Sequence, residues 1–96
     1  MNDDSTPLKL RLYVAGQTPK SILALTNIKK ICDSHLHHNY ELEVVDLLLD
    51  PKRSEEDHIV AIPTLVRKHP IPIKKVVGDL SNVHNVLVQL RSKAVM

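Results

Sequence analysis

The sequence predicts a mixed α/β fold in which a four-stranded sheet packs against helices. Leu, Val and Ile make up about a third of the 96 residues, whereas Phe and Trp are absent and Tyr13 and Tyr40 are the two aromatic residues. A core of branched aliphatic side chains favours strands packed against helices. Segments with a hydrophobic period of two also alternate with segments of helical period. The length is that of one small domain.

The first predicted strand is Leu8–Val14, in which Leu8, Leu10, Leu12 and Val14 share one face. A turn at residues 15–17 follows, and Thr18 is placed to cap a helix that has Pro19 at its first position. We expect this helix to span about 16 residues. The residues at helical spacing within it are Ile22, Leu25, Ile28 or Lys29, Cys32 and Leu36.

The second predicted strand begins at Tyr40 and continues through residues 47–49. The connection from the first strand is long enough for a helical crossover, so the two strands should be parallel. Asp50 followed by Pro51 repeats the pattern of a cap before a proline. It predicts a short acidic second helix that extends to His58.

Pro63 ends that segment, and two short strands follow at residues 64–67 and 73–77. The turn between them is short, which predicts an antiparallel pair. Ser81 is placed to cap a last helix. The resulting order, βαβαββα, is the thioredoxin-like arrangement: a mixed four-stranded sheet with helices on both faces. Residues 1–7 are predicted to be a disordered leader and residues 8–96 a single domain.

Charge and cysteine content restrict the function. The formal net charge is +2 and no run of five or six basic residues occurs, which argues against a nucleic-acid partner. No apolar run reaches the 18 residues of a membrane span. A single cysteine, Cys32, suits a reducing compartment, so we expect a cytoplasmic protein.

The sequence argues against redox chemistry. In a thioredoxin-like fold the reactive dithiol follows the first strand, at the helix N-terminus. Residues 15–21 contain no cysteine, and Cys32 lies near the far end of the helix. We interpret Cys32 as a buried packing thiol. No catalytic residue and no cofactor are therefore predicted.

Two other clusters of polar residues are candidate functional sites. Cys32, His35, His37 and His38 lie within seven residues, as zinc ligands often do, but their spacing matches no known finger. We favour a solvated helix end. The consecutive carboxylates of residues 55–57 point in different directions on a helix and are interpreted as an acidic surface.

Four segments resemble the KaiB family. They are KLRLYVAGQTPKS (residues 9–21), LEVVD (42–46) followed by Asp50-Pro51, EEDHIVAIPTL (55–65) and PIPIKKVVGDLS (70–81). The similarity runs in order over roughly residues 8–90. It implies a regulatory protein that binds a KaiC-like RecA-type ATPase, in circadian-type timing or stress adaptation, and that forms dimers or tetramers. The alternatives are the sensor domain of a SasA-like histidine kinase and a thioredoxin-fold protein without redox activity.

The resemblance also implies which residues contact the ATPase. In the family, the second helix and the strand ends around it face the partner. The corresponding residues here are Asp50, Lys52, Glu55, Glu56, Asp57, Lys74 and Lys75. The alternative for each of them is ordinary solubilising charge.

The family is known for a second fold in which the C-terminal half rearranges. The positions concerned are Leu8, Pro63, Pro70, Pro72, Gln89 and Arg91. The Ile62–Pro63 bond is expected to be cis, and slow X-Pro isomerisation suits a slow interconversion. Relatives carry Gly and Asp where this chain has Gln89 and Arg91, which favours the helical form by about 1.5–2 kcal/mol. We therefore predict that the thioredoxin-like fold is the resting form, although the alternation of Val86, Val88 and Leu90 is also compatible with a strand.

Overall fold

Seven elements follow one another in the predicted order. The computed structural model describes residues 7–36 and 39–92, so the predicted leader lies almost wholly outside the described residues. The elements are β1 (Leu8–Val14), α1 (Pro19–His35), β2 (Tyr40–Asp46), a 3₁₀ helix (Pro51–Glu56), β3 (Thr64–His69), β4 (Lys74–Val77) and α2 (Val83–Arg91).

The strands form one mixed sheet in the order β2-β1-β3-β4. β1 and β2 are parallel, with Leu8 opposite Tyr40. β3 runs antiparallel to both β1 and β4. Both predicted orientations are confirmed. Because Thr64 lies opposite Tyr13, the start of β3 is next to the carboxyl end of β1.

Both α-helices pack on one face of the sheet. Alternate residues of β1 point into this core, as predicted, and meet α1 and α2 there. The buried cluster consists of Leu10, Leu12, Val14, Ala24, Ile28, Ile31, Cys32, Leu65, Val76, Leu80, Val86 and Leu90. Leu8 is half-buried against the same cluster. This face supplies most of the buried apolar surface.

The opposite face carries a smaller core of Tyr13, Val45, Leu47 and Val66, with Ile59 packed against it. The segment after β2 covers it, so helical segments lie on both faces and the thioredoxin-like fold is confirmed. This segment is a six-residue 3₁₀ helix rather than the predicted longer helix. Asp50 makes no side-chain capping hydrogen bond. A segment this short gains little from α-helical hydrogen bonding, so the tighter turn is tolerated.

Helix α1 begins as predicted but presents a different face to the sheet. The Thr18 hydroxyl oxygen accepts a hydrogen bond from Ser21 N at 3.3 Å. The buried residues are Ser21, Ala24, Ile28, Ile31 and Cys32, whereas Ile22 is 51% exposed. The predicted apolar face was thus wrong in its first turn. Two small residues, Ser21 and Ala24, are the buried ones in this part of the helix.

The C-terminal segment is helical, as the thioredoxin-like fold predicts, with α2 spanning Val83–Arg91. Asn82 rather than Ser81 is the N-cap, because the Asn82 side-chain oxygen accepts a hydrogen bond from Asn85 N at 3.0 Å. Val86 and Leu90 are buried, whereas Val88 between them is 48% exposed. The helical period therefore decides which residues pack against the sheet.

Among the residues that the structure describes, three X-Pro peptide bonds are cis. The Ile62–Pro63 bond is cis, in agreement with the prediction, and the bonds before Pro70 and Pro72 are cis as well. Over the described residues, no helix has the length and apolar character needed to cross a bilayer.

Candidate functional site

The turn after β1 and the end of β2 are tied together by one carboxylate. Asp46 Oδ1 accepts hydrogen bonds from Gly16 N and from Leu48 N, both at 2.9 Å. These bonds turn the chain at residues 47–49, so the predicted continuation of the second strand through these residues is corrected. Gly16 has φ +60°, and a Cβ there would lie 2.8 Å from Leu48 Cδ1. Glycine thus satisfies both the backbone angle and the close approach.

The N-terminus of α1 carries hydroxyl groups where a thioredoxin carries thiols. Ser21 is 2% exposed, and its Oγ accepts hydrogen bonds from Ala15 N at 3.2 Å and from Thr18 Oγ1 at 2.9 Å. The cysteine of the chain, Cys32, is fully buried about three turns after Ser21 along α1. Burial raises the pKa of its thiol to about 12, so it is protonated at neutral pH.

An open groove of about 430 Å³ lies between the end of β2 and the loop that precedes β3. Its lining is mostly apolar and consists of Leu47, Pro51, Ser54, Ile59, Val60, Ala61 and Ile62. The hydrogen bond from Ile59 N to Ser54 O, 2.8 Å long, fixes the loop against the 3₁₀ helix.

Four large apolar side chains are exposed to solvent: two of them line this groove, and the other two lie in sequence between its lining residues Leu47 and Pro51. Leu48 is 70% exposed, Leu49 84%, Val60 98% and Ile62 42%. We call these four residues the apolar rim. Single exposed apolar residues are common, but a group of them at one place is typical of an interaction site. The sequence analysis missed this group. The consecutive Leu47-Leu48-Leu49 could have revealed it, since an alternating strand cannot bury all three.

Asp57 holds the loop to the sheet. Its carboxylate accepts hydrogen bonds from Tyr13 Oη at 2.6 Å, from Arg11 Nη1 at 3.0 Å and from Lys68 Nζ. Burial alone would raise its pKa, but the bonds from Lys68 and Tyr13 outweigh burial and lower it. With its side chain 3% exposed, Asp57 is not the surface charge that the sequence predicts. It is buried because three donors from β1 and β3 converge on it.

The neighbouring charged side chains form a network of ion pairs around Asp57. Arg11 Nε donates to Glu43 at 2.8 Å, and its Nη1 donates to Glu56 at 2.9 Å. Arg53 forms ion pairs with the same two carboxylates: its Nη2 lies 2.9 Å from Glu43 Oε2, and its Nε lies 3.0 Å from Glu56 Oε2. The hydrogen bonds from Arg53 lower the pKa of both Glu43 and Glu56. Glu56 thus belongs to an internal network as well as to the surface.

The other predicted contact residues are divided between the two faces of the sheet. Asp50, Lys52 and Glu55 are exposed on and before the 3₁₀ helix. Lys75 is exposed on β4, and its Nζ donates to His58 O at 3.4 Å, so β4 lies beside the loop. Lys74 is half-buried and projects to the other face of the sheet, that of α2. The structure therefore brings Asp50, Lys52, Glu55, Glu56 and Lys75 to one side of the sheet and separates Lys74 from them.

Residues 7–36 and 39–92 contain no group of three or more His, Cys, Asp or Glu side chains that could hold a metal ion. His37 and His38, which the sequence analysis weighed as ligands, lie outside the described residues.

Comparison with known proteins assigns the chain to a family. A family model described as the KaiB domain matches residues 11–92. The chain belongs to the KaiB family. It is 39% identical over 87 residues to circadian clock protein KaiB3 of Synechocystis sp., covering 91% of this chain and 85% of that protein. It is 46% identical over 81 residues to circadian clock oscillator protein KaiB of Microcystis aeruginosa, covering 84% and 78%.

Solved structures show the same fold for this KaiB-family chain. The N-terminal domain of SasA from Synechococcus elongatus matches with a TM-score of 0.74 at 23% identity, covering 95% of this chain and 90% of that one. Mitochondrial thioredoxin 3 of Saccharomyces cerevisiae matches with a TM-score of 0.70 at 13% identity, covering 92% and 81%. At these identities the likeness is one of fold alone.

Proposed function

We propose that this KaiB-family chain is a clock-type regulatory protein that acts by binding a KaiC-like RecA-type ATPase. The relatives that cover most of the chain are named as circadian clock proteins. The docking surface that we propose is the apolar rim together with the exposed charges of the 3₁₀ helix. No catalytic step is assigned to the chain.

The exposure of the apolar rim is the observation that carries the proposal. Leu49 and Val60 are 84% and 98% exposed, so almost all of their surface is available to a partner. Burying such a side chain in an interface is worth about 1.5–3 kcal/mol. Apolar groups at the centre of an interface, surrounded by polar residues, are where binding energy concentrates.

The surrounding charges have a different effect on binding. Asp50, Lys52 and Glu55 are exposed and lie next to the groove. Charges at the edge of an interface mainly change the association rate and its salt dependence. We therefore expect the apolar rim to set how long the complex lasts and the charges to set how fast it forms.

A binding experiment with two variants tests the proposal. Leu49→Glu combined with Val60→Glu should weaken binding to a KaiC-like ATPase from the same organism at least tenfold, measured by surface plasmon resonance. Val88→Glu is the matched control, because Val88 is a half-exposed apolar residue of α2 on the other face of the sheet. Its affinity should be that of the unmodified chain. Equal affinity of all three proteins would refute the proposed surface.

The lysine pair of β4 is tested separately. Lys75→Glu, on the face of the sheet that carries the 3₁₀ helix, should slow association and change its salt dependence, with a smaller change in the dissociation rate, whereas Lys74→Glu, on the opposite face, should change neither rate. An association rate that Lys75→Glu leaves unchanged would remove Lys75 from the interface. It would leave the apolar rim as the proposed surface.

A further inference from the structure

The outer edge of β4 is unpaired in the part of the chain that the structure describes. β4 is the last strand of the sheet and pairs with β3 alone. The hydrogen bond from Gly78 N to Pro63 O, 2.9 Å long, sets the phase of this antiparallel ladder, in which hydrogen-bonded and non-bonded pairs alternate. The N–H and C=O groups of Lys75 and Val77 therefore point away from β3. Such groups can pair with another strand.

The outer edge of β4 also exposes a cation between two apolar side chains. Lys75 lies opposite Val66, which packs on the face of the sheet that carries the 3₁₀ helix. Val77 lies two residues further along β4 and projects from the same face. Ile73 directly precedes the strand. Ile73 is 51% exposed and Val77 63%, and Lys75 is exposed between them.

The charge of Lys75 is not neutralised by an ion pair within residues 7–36 and 39–92. Its Nζ makes one long hydrogen bond, of 3.4 Å, to His58 O, which leaves donors for a carboxylate. The other outer strand, β2, exposes Glu41 and Glu43. Like charges across a strand pair are destabilising and opposite charges are stabilising. An acidic strand is therefore directed to β4 and away from β2.

We propose that the outer edge of β4 binds an extended acidic segment of another protein, which adds to the four-stranded sheet as a further strand. A carboxylate of the segment faces Lys75, and its backbone bonds to the outward N–H and C=O groups of Lys75 and Val77. Apolar side chains two residues to either side of the carboxylate cover Val77 and Ile73. Backbone hydrogen bonds give strand addition its affinity, and alternate side chains give its specificity.

Lys75 makes this edge selective. A lysine on an exposed edge strand discourages pairing with strands that bring no compensating charge. The contact is short, because β4 has four residues. We expect weak binding that is favoured by low salt, since exposed charges are screened at higher ionic strength. The inference concerns the strand edge rather than the apolar rim, and it does not depend on binding of an ATPase.

Titration of the ¹⁵N-labelled chain with a capped heptapeptide, Thr-Val-Thr-Glu-Thr-Val-Thr, tests the proposal by NMR at low salt. Glutamate is the one charge of this peptide, and its sequence reads alike in both directions, so either strand orientation presents the same side chains. The amide signals of Lys75 and Val77 should shift as the peptide is added, and those of β2 should not. A peptide with lysine in place of glutamate should bind roughly fivefold more weakly.

Three variants separate the side-chain contact from the backbone contact. Lys75→Glu should reverse the preference, so that the lysine peptide binds roughly fivefold more tightly than the glutamate peptide. Lys29→Glu is the matched control, since Lys29 is an exposed lysine of α1, and it should keep the original preference. Val77→Pro removes an N–H that points away from β3, a place where an edge strand tolerates proline. It should abolish binding of both peptides while the circular dichroism spectrum stays that of the unmodified chain.

Peptide-dependent shifts at Lys75 and Val77, with the expected charge preference, support the proposal. Equal binding of the two peptides to the unmodified chain, or no shift in β4, overturns it. The same shifts on concentrating the chain without peptide would mean that a second copy covers this edge, and would overturn it as well. No ATPase is present, so the outcome is independent of the proposed docking surface.

Discussion

At the scale of single residues, Asp57 positions a segment that has no buried residue of its own. The 3₁₀ helix buries none of its six side chains. The carboxylate directly after it accepts hydrogen bonds from Tyr13, Arg11 and Lys68, which come from two strands of the sheet. A buried charge with three donors restrains the segment where apolar packing is scarce.

Replacing Asp57 by Asn should destabilise the protein by about 2 kcal/mol, because Lys68 and Arg11 lose their shared anion while Tyr13 keeps an acceptor. The free energy of unfolding from urea titration at pH 7 measures this. Glu55→Gln removes a carboxylate that is exposed. It should change the unfolding free energy by less than about 0.5 kcal/mol. Equal effects of the two substitutions would contradict the role of Asp57.

The same residue gives the stability a pH dependence. The pKa of Asp57 is lowered in the folded protein from its ordinary value of 3.8. Its contribution to stability is therefore complete above pH 3.8 and is lost as the pH falls through the folded value. Urea titrations from pH 6 to pH 3 should show a smaller loss of stability for Asp57→Asn than for the unmodified chain. If the unfolding free energies of the two proteins fell equally with pH, this role of Asp57 would be contradicted.

Neither Asp57 nor Arg67 can be recognised as buried from the sequence. Both lie among other charged residues, and such patterns are usually solvated. The burial of Asp57 depends on Tyr13, which lies 44 residues away. The burial of Arg67 depends on the carbonyl groups of Gln89 and Leu90 in α2, which are 22 and 23 residues away. Local patterns contain no information on such partners.

At the scale of elements, Arg67 attaches α2 to the sheet. Its side chain is 1% exposed, and Nη1 donates to the carbonyl groups of Gln89 at 3.0 Å and Leu90 at 3.1 Å. Nη1 also donates to Ser92 O, and Nη2 donates to Pro72 O at 2.6 Å. Burial lowers the pKa of Arg67. A cation at this place satisfies carbonyls that a helix C-terminus leaves unpaired.

Arg67→Met should loosen α2, because the carbonyl groups at its end would then be buried without donors. Hydrogen exchange at the amides of α2 should become at least tenfold faster, measured by NMR. Arg91→Met is the control, since Arg91 is exposed at the end of the same helix. Its exchange rates should stay within about threefold of those of the unmodified chain. Unchanged protection of α2 in Arg67→Met would show that apolar packing alone holds the helix.

The elements themselves were predictable to different degrees. β1 alternates strictly, and its predicted face is the observed one. The first turn of α1 was assigned wrongly because Ile22 is more apolar than Ser21, yet Ser21 is the buried residue. Its hydroxyl is satisfied by Ala15 N and Thr18 Oγ1, so burial costs little. Polar groups that pair locally are the cases in which hydrophobic patterns fail.

At the scale of the whole molecule, the packing of α2 in the main core stabilises the helical form of the C-terminal segment. α2 shares its core with α1 and with three strands, and residues Val83–Arg91 are helical. Gln89 lies within this helix and Arg91 at its end, where their helix propensities and the positive charge favour the observed form.

Replacing Gln89 by Gly and Arg91 by Asp should destabilise this form by about 1.5–2 kcal/mol. Circular dichroism should show less helix, and sedimentation should show whether other assemblies become populated. Gln17→Gly with Lys52→Asp is a control for composition and charge, because both residues are exposed and lie outside the α-helices. Unchanged helix content in the Gln89→Gly, Arg91→Asp variant would contradict the argument from propensity.

The candidate site was predictable in position but not in composition. The resemblance of residues 50–65 to the KaiB family indicates the segment around the 3₁₀ helix. The charged residues predicted from it divide into exposed ones, such as Asp50, and buried ones, such as Asp57. The apolar rim was not predicted, because exposure of Leu49 or Val60 depends on how the chain turns and not on the side chain itself.

The tyrosine hydroxyls have a consequence for how this molecule can be observed. The chain contains two tyrosines and no tryptophan, so its ultraviolet emission comes from Tyr13 and Tyr40. Each phenol donates to a carboxylate, Tyr13 to Asp57 at 2.6 Å and Tyr40 to Asp33 at 3.1 Å. A carboxylate that accepts the phenol proton quenches tyrosine fluorescence. The tyrosine fluorescence of the folded chain should therefore be low and should rise when these contacts open, so that it reports local opening without an added label.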